Sequence, residues 1–160
     1  MADIYILDLA GINGESNIEG FKDKITLTSF SHSVAQPIVA DPSNTKRTSG
    51  RPNHDELTVS KRLDLASCKL IDYCNEAKVI ATLKLTVAQE NGGVLIPYLV
   101  VDCTDVLVSR ISYSGAGMVP SETISLDYSK ITWTYTLQAT AVSKGGNDSC
   151  ILDRATNMPK

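Results

Sequence analysis

The sequence is short of most things that would announce a chemistry. Its 160 residues hold two histidines, one tryptophan, two phenylalanines and four cysteines. With His32 and His54 as the only imidazoles, a histidine-built metal centre lacks ligands. No cysteine pair has C-x-x-C spacing, and Cys68 and Cys74, six apart, lie about 240° from each other on a helix. No metal site is expected from them. Long apolar runs are missing too. The most apolar stretch, Val94 to Val101, is eight residues, against the ~20 that a transmembrane helix needs. Met1 to Leu9 lacks a basic start and carries two aspartates, so no secretory signal is expected. The four cysteines then read as free thiols of a protein folded in a reducing compartment. Positive charge is not in excess either: 15 basic residues face 18 acidic ones, net −3. That argues against non-specific binding to nucleic acid or to an acidic membrane.

Catalytic signatures are equally scarce. There is no G-x-S-x-G, H-E-x-x-H or G-x-x-x-x-G-K-[ST]. Gly115-Ala116-Gly117 lacks the third glycine of a dinucleotide fingerprint. Ser31, His32 and Asp55 can be drawn as a triad, but neighbours on a strand face opposite sides. Asp102 and Asp105 make a poor acid–base couple for the same reason. No catalytic residue and no cofactor are expected.

What is present is alternation. Val79, Ala81, Leu83, Leu85 and Val87 alternate with more polar neighbours, the pattern of a strand with one buried face. Asn91-Gly92-Gly93 then turns the chain into a second strand from Val94, a hairpin signature. Pro97 cannot donate to a ladder, so an edge or irregularity is expected there. Further strands are expected over 3–9, 56–62, 123–128 and 131–138. In 22–34 the apolar residues move from odd positions (Ile25, Leu27) to even ones (Phe30, Val34), which predicts a bulge or bend near Thr28-Ser29. Trp133 and Tyr135 alternate inward and read as core. Threonines 132, 134, 136 and 140, with Thr82 and Thr86, make uncharged faces suited to solvent, a lining or a lateral contact.

One segment is not alternating. Leu70, Ile71, Cys74 and Ala77 share a helical stripe, with Ser67 or Asp64 able to cap it. Residues 35–55 read as a long Pro-rich loop carrying Lys46, Arg47 and Arg51. Such length without structure is usually functional or ordered against a partner. Residues 143–160 read as a flexible tail beyond a domain over 1–142. The expected fold is mainly β: a β-barrel of two packed antiparallel sheets with one flanking α-helix and a long extended loop.

The order of these segments resembles the haemolysin-coregulated protein (Hcp) family of type VI secretion systems. Ile4-Tyr5-Ile6-Leu7 and then Gly14-Glu15-Ser16 are similar to its opening strand and Gly-Glu-Ser turn. Phe30-Ser31-His32-Ser33 resembles its aromatic-Ser-aromatic-Gly segment. Lys61, Asp64 and Ser67 resemble its Thr-Lys-x-x-Asp-x-x-Ser-Pro helix start, and Trp133-Thr134-Tyr135 its last strand. The resemblance covers about residues 1–140. It implies a secreted tube subunit that forms a homo-hexamer. The hexameric rings stack, and the tip spike protein, the sheath and small effector proteins in the lumen are its partners. It implies folding in the cytoplasm, then export without a cleaved signal and without membrane insertion. By position, Ser31 and His32 would face lumen and cargo. Lys46, Arg47 and Arg51 sit on the loop expected to pack on a neighbouring ring or subunit. His32 and Ser33 depart from the family pattern, as does Cys68, which stands where proline is usual. At 160 residues a plain tube subunit without a fused toxin is expected. Two other classes stay open on the residues alone. One is a monomeric β-barrel module binding a small ligand. The other is a hydrolase using Ser31, His54 or Asp55.

Overall fold

The computed structural model describes residues 3–38, 50–139, 143–156 and 158–159. In chain order the elements are β1 (Asp3–Leu9), β2 (Ile25–Leu27), β3 (Ser29–Ser31), β4 (Val34–Ala35), β5 (Asn53–His54), β6 (Leu57–Arg62), α1 (Ala66–Asn75), β7 (Ile80–Asn91), β8 (Val94–Ser114), β9 (Ser121–Asp127), β10 (Lys130–Ala139), β11 (Ser143–Asp153) and β12 (Met158–Pro159). All strand pairs are antiparallel.

Two bent segments turn these strands into a barrel. β8 is 21 residues long and serves both sheets. Its first part pairs with β7 and β10, its last part with β9. The second bend falls at Thr28, where the apolar phase changes. Before it, β2 pairs with β1; after it, β3 pairs with β6. The circuit therefore runs β8, β7, β1, β2, then through Thr28 to β3, β6, β9 and back to β8. It is a barrel of two packed antiparallel sheets, as the alternation predicts. The closure at Thr28 is made by the chain itself rather than by a ladder between β2 and β3.

The predicted hairpin is there. Asn91 pairs with Val94, and Gly92 and Gly93 take φ of 61° and 83°. Both central residues of such a two-residue turn need positive φ. Pro97 sits beside a register shift between Val87 and Ala88, the irregularity a missing donor demands. Alternation places Leu7, Leu9, Leu57, Val59, Leu83, Leu85, Ile124 and Leu126 in one core.

α1 lays Ala66 and Leu70 onto this core, with Tyr73 and Cys74 partly buried. Its start is fixed by Asp64, whose Oδ1 accepts from the Ala66 amide at 2.9 Å. Ala77, expected on the buried stripe, lies past the end instead. It is exposed, has φ of 49°, and its amide returns to the Cys74 carbonyl. A residue in the left-handed region is a common way for a helix to stop.

Other expectations need correction. Residues 143–153 form β11, paired along β10 from Ser143 to Asp153, where the sequence reading places an unstructured tail. Composition misleads here because pairing to an existing strand supplies the order that Asn147, Asp148 and Ser149 lack on their own, with Gly145 and Gly146 taken up at a register shift opposite Thr136 and Gln138. The loop 35–55 is likewise structured at its root, where β4 pairs with β5. Tyr135 is 48% exposed rather than core. It pairs with Leu99 of β8, and its ring meets that of Tyr98 edge-on at 6.4 Å. In β7 the buried residue at the start is Ile80, while Val79 is exposed. Thr140 lies outside the described residues.

Candidate functional site

Of the residues that the sequence singles out, His32, His54 and Asp55 meet at the root of the loop. β3 ends at Ser31, which is exposed and paired with Thr58. The next residue, His32, turns inward and is half-buried. Its Nε2 lies 2.6 Å from the Tyr128 hydroxyl. That hydroxyl donates its only hydrogen to the Asp55 carbonyl at 3.1 Å, so His32 Nε2 must carry the hydrogen between them. The imidazole also packs against Trp133 and His54, with ring centroids 5.2 Å and 6.1 Å away. His54 comes from β5, opposite Val34. The Asp55 amide donates to the Ser33 carbonyl at 3.0 Å. Both feet of the loop thus carry a histidine, and the chain's only two histidines touch.

Arg154 closes the cluster from beyond β11. It ion-pairs with Asp127, donates to the Tyr128 carbonyl at 3.2 Å, and stands 5.2 Å from the Tyr128 ring centroid. On balance the surroundings favour neutral imidazoles. Burial, then the neighbouring His54, holds His32 below its ordinary value, with Asp55 pulling the other way. Burial, then Arg154, holds His54 below its own. Burial pushes the Tyr128 hydroxyl up to about 12, so it stays a neutral donor.

Ser31 and His32 are not brought together as a catalytic pair. His32 spends Nε2 on Tyr128, and Ser31 points to the other face of the strand. Among the described residues no group of three histidine, cysteine, aspartate or glutamate side chains converges to hold a metal. The cysteines are free. Cys68 and Cys150 are exposed, and burial pushes the Cys103 thiol up to about 12. Of the loop cations, Arg51 is exposed, and Lys46 and Arg47 lie outside the described residues.

A second cluster escaped the sequence reading. Lys61 on β6 and Glu122 on β9 are directly opposite in the ladder, fully buried and ion-paired. Lys61 also pairs with Asp64 and donates to Ser67 Oγ at 3.2 Å. Ser67 in turn donates to Glu122 Oε1 at 2.8 Å. The signal was in the alternation. Lys61 is in phase with Leu57 and Val59, and Glu122 with Ile124 and Leu126, so two opposite charges fall on two apolar faces.

Beside this network runs a cleft of about 460 Å³ lined by residues including Glu15, Thr28, Arg62, Leu63, Asp64 and Val119. Leu65 and Met118, also at this end, are 67% and 80% exposed. Large apolar side chains open to water at one end of a barrel favour contact with another surface. No described helix is long and apolar enough to cross a membrane.

Comparison with known proteins points one way. The family described as "Type VI secretion system effector, Hcp" matches residues 6–135. The Hcp1 protein of Pseudomonas aeruginosa is 27% identical over 96 residues, a stretch spanning 59% of this chain and 59% of that relative. A solved structure of a type six secretion system protein superposes with a TM-score of 0.92 at 24% identity, over 99% of this chain and all of that one. The crystal structure of Hcp1 from Salmonella typhimurium superposes with a TM-score of 0.83 at 25% identity, covering both chains fully.

Proposed function

The chain belongs to the Hcp family of type VI secretion system proteins, and from this we propose that it is a structural subunit of the secretion tube rather than an enzyme. Six copies close a ring, rings stack, and small effector proteins travel in the lumen. The subunit folds in the cytoplasm and leaves through the machine, meeting the sheath and the tip spike protein on the way. Ser31 and His32 lie towards the lumen, and the loop 36–54, with Lys46, Arg47 and Arg51, packs on a neighbouring ring or subunit. The observation that carries this reading is the family match across residues 6–135.

The fold supplies physical support. Beyond Leu152 and Asp153, which pair with β12, β11 has no second neighbour among the described strands. Open edges of this kind are normally covered, and a closed ring of identical subunits covers every such edge at once. Native mass measurement and negative-stain imaging test the reading. The expected result is a species near six times 17.2 kDa with a central hole. A monodisperse monomer at high concentration would overturn it in favour of the ligand-binding module. With rings in hand, Ser31→Arg should leave assembly intact and lower the amount of effector that co-purifies. Undiminished effector on intact rings would remove Ser31 from the lumen assignment.

A further inference from the structure

The loop is joined to the barrel by a short two-stranded root, and that root is held by the histidine cluster. The ladder of β4 and β5 is two residue pairs long. Its remaining described ties are the Asp55 amide to the Ser33 carbonyl, and the Gln36 side chain to the Gly50 carbonyl at 3.1 Å. Against the barrel it is fastened by His32 to Tyr128, by Tyr128 to the Asp55 carbonyl, and by the packing of His32 on His54 and Trp133. His54 Nδ1 is buried and without a hydrogen-bond partner among the described residues.

We propose that the His32–His54 pair is a proton-operated latch, closed while both rings are neutral and opened when both are charged. The groups facing the pair are few. His32 meets His54 from β5, Asp55 just after it, Tyr128 from the β9–β10 turn and Trp133 from β10. His54 meets His32 and Arg154. Only Asp55 favours a charged ring. Arg154 opposes it, and Arg154 is already committed to Asp127. A second proton on His32 enters at Nδ1, because Nε2 already holds one. The bond to Tyr128 therefore survives, and what changes is the charge. Two cations with ring centroids 6.1 Å apart, partly out of water, repel across the contact between root and barrel.

The sign follows from linkage. Both rings are held below their ordinary value in the fold, so the released root binds more protons than the latched one. Latching is complete above about pH 6.5, the ordinary histidine value, and is lost as pH falls below it. Because the isolated subunit contains the whole latch, the proposal does not depend on ring assembly.

Amide hydrogen exchange tests it, read at Asp55 and in β4 and β5 at pH 7.5 and 5.0 after correction for intrinsic rates. Wild type should lose protection severalfold at the lower pH, while the amides of β7 and β8 stay protected. His54→Gln, which keeps a polar side chain but cannot charge, should show a clearly smaller acid loss, because burial still opposes a charge on His32 but the repulsion between two charged rings is gone. The quantity compared is the ratio between the two pH values within each protein, so a uniformly looser root in the variant does not obscure it. Equal protection at both pH values in wild type would overturn the latch. So would an undiminished acid response in His54→Gln.

Discussion

Lys61→Ala is expected to cost about 3–5 kcal/mol, the range for removing one partner of a buried ion pair. A domain of this kind has only about 5–15 kcal/mol in total. For a chain of this length the midpoint of thermal unfolding should fall by roughly 10 °C. The reason is what the substitution leaves behind. Glu122 is fully buried, its Oε2 has no partner among the described residues, and its Oε1 relies on Lys61 and Ser67. Without the ammonium, a carboxylate remains in the core beside a cavity. Removing both charges is a different experiment. Lys61→Met with Glu122→Leu should recover part of the loss, because no unpaired charge is then left between β6 and β9, although Ser67 and Asp64 each lose a partner. Urea unfolding of the two variants at neutral pH separates the cases. A single variant within about 1 kcal/mol of wild type would mean that water reaches the site and that the pair behaves as a surface one.

The pair also has a directional role that an apolar replacement lacks. Lys61 and Glu122 face each other across β6 and β9, so the pair forms only in one register. A slip by one residue would turn both charges outward and Arg62 and Thr123 inward. Through Asp64 and Ser67 the same network reaches the first turn of α1. Strand register and helix start are thereby set by one group of side chains.

Most of the barrel was legible because its strands obey period two. The phase change between Leu27 and Phe30 located the strand switch at Thr28, and Asn91-Gly92-Gly93 located the hairpin. Alternation fails where tertiary pairing overrides composition. β11 is polar and glycine-containing, and it is ordered by β10 rather than by its own propensity. Alternation also says nothing of contacts between distant segments. His32 and Tyr128 are 96 residues apart in sequence, and only the closed circuit of strands puts the loop root against the β9–β10 turn. The resemblance names Ser31 and His32 as a pair by position, but not their contacts: Ser31 is exposed, and the half-buried His32 hydrogen-bonds the Tyr128 hydroxyl. By contrast, the buried Lys61–Glu122 pair could have been found from phase alone, by asking which charges share positions with leucine and isoleucine.

Gly14→Ala is expected to cost about 1–3 kcal/mol, the cost of forcing atoms into a filled space. A Cβ built at Gly14 would meet the Lys24 carbonyl oxygen at 2.5 Å and the Ile25 Cα at 2.8 Å. Both are backbone atoms, so no side chain can swing aside. The close approach comes from the arm that crosses the barrel end between β1 and β2. The Gly14 amide donates to the Asp23 carbonyl at 2.9 Å, Ser16 to the Lys24 carbonyl at 3.0 Å, and Asp23 to the Ser16 carbonyl at 2.9 Å. Moving residue 14 outward to admit a methyl group weakens this ladder. It also moves Glu15, whose Oε1 accepts from the Leu65 amide at 2.9 Å just before α1. The Gly-Glu-Ser run is thus a spacing device: glycine for approach, glutamate for the helix start, serine for the return. Two controls separate these parts. Glu15→Gln keeps an acceptor and should be close to neutral. Glu15→Ala should lose about 0.5–1.5 kcal/mol, the net worth of one hydrogen bond. Gly14→Ala should exceed it and also lower hydrogen-exchange protection at Ser16 and Asp23. If Gly14→Ala unfolds at the wild-type urea midpoint with those amides still protected, the arm yields without cost and close packing is not what requires glycine there.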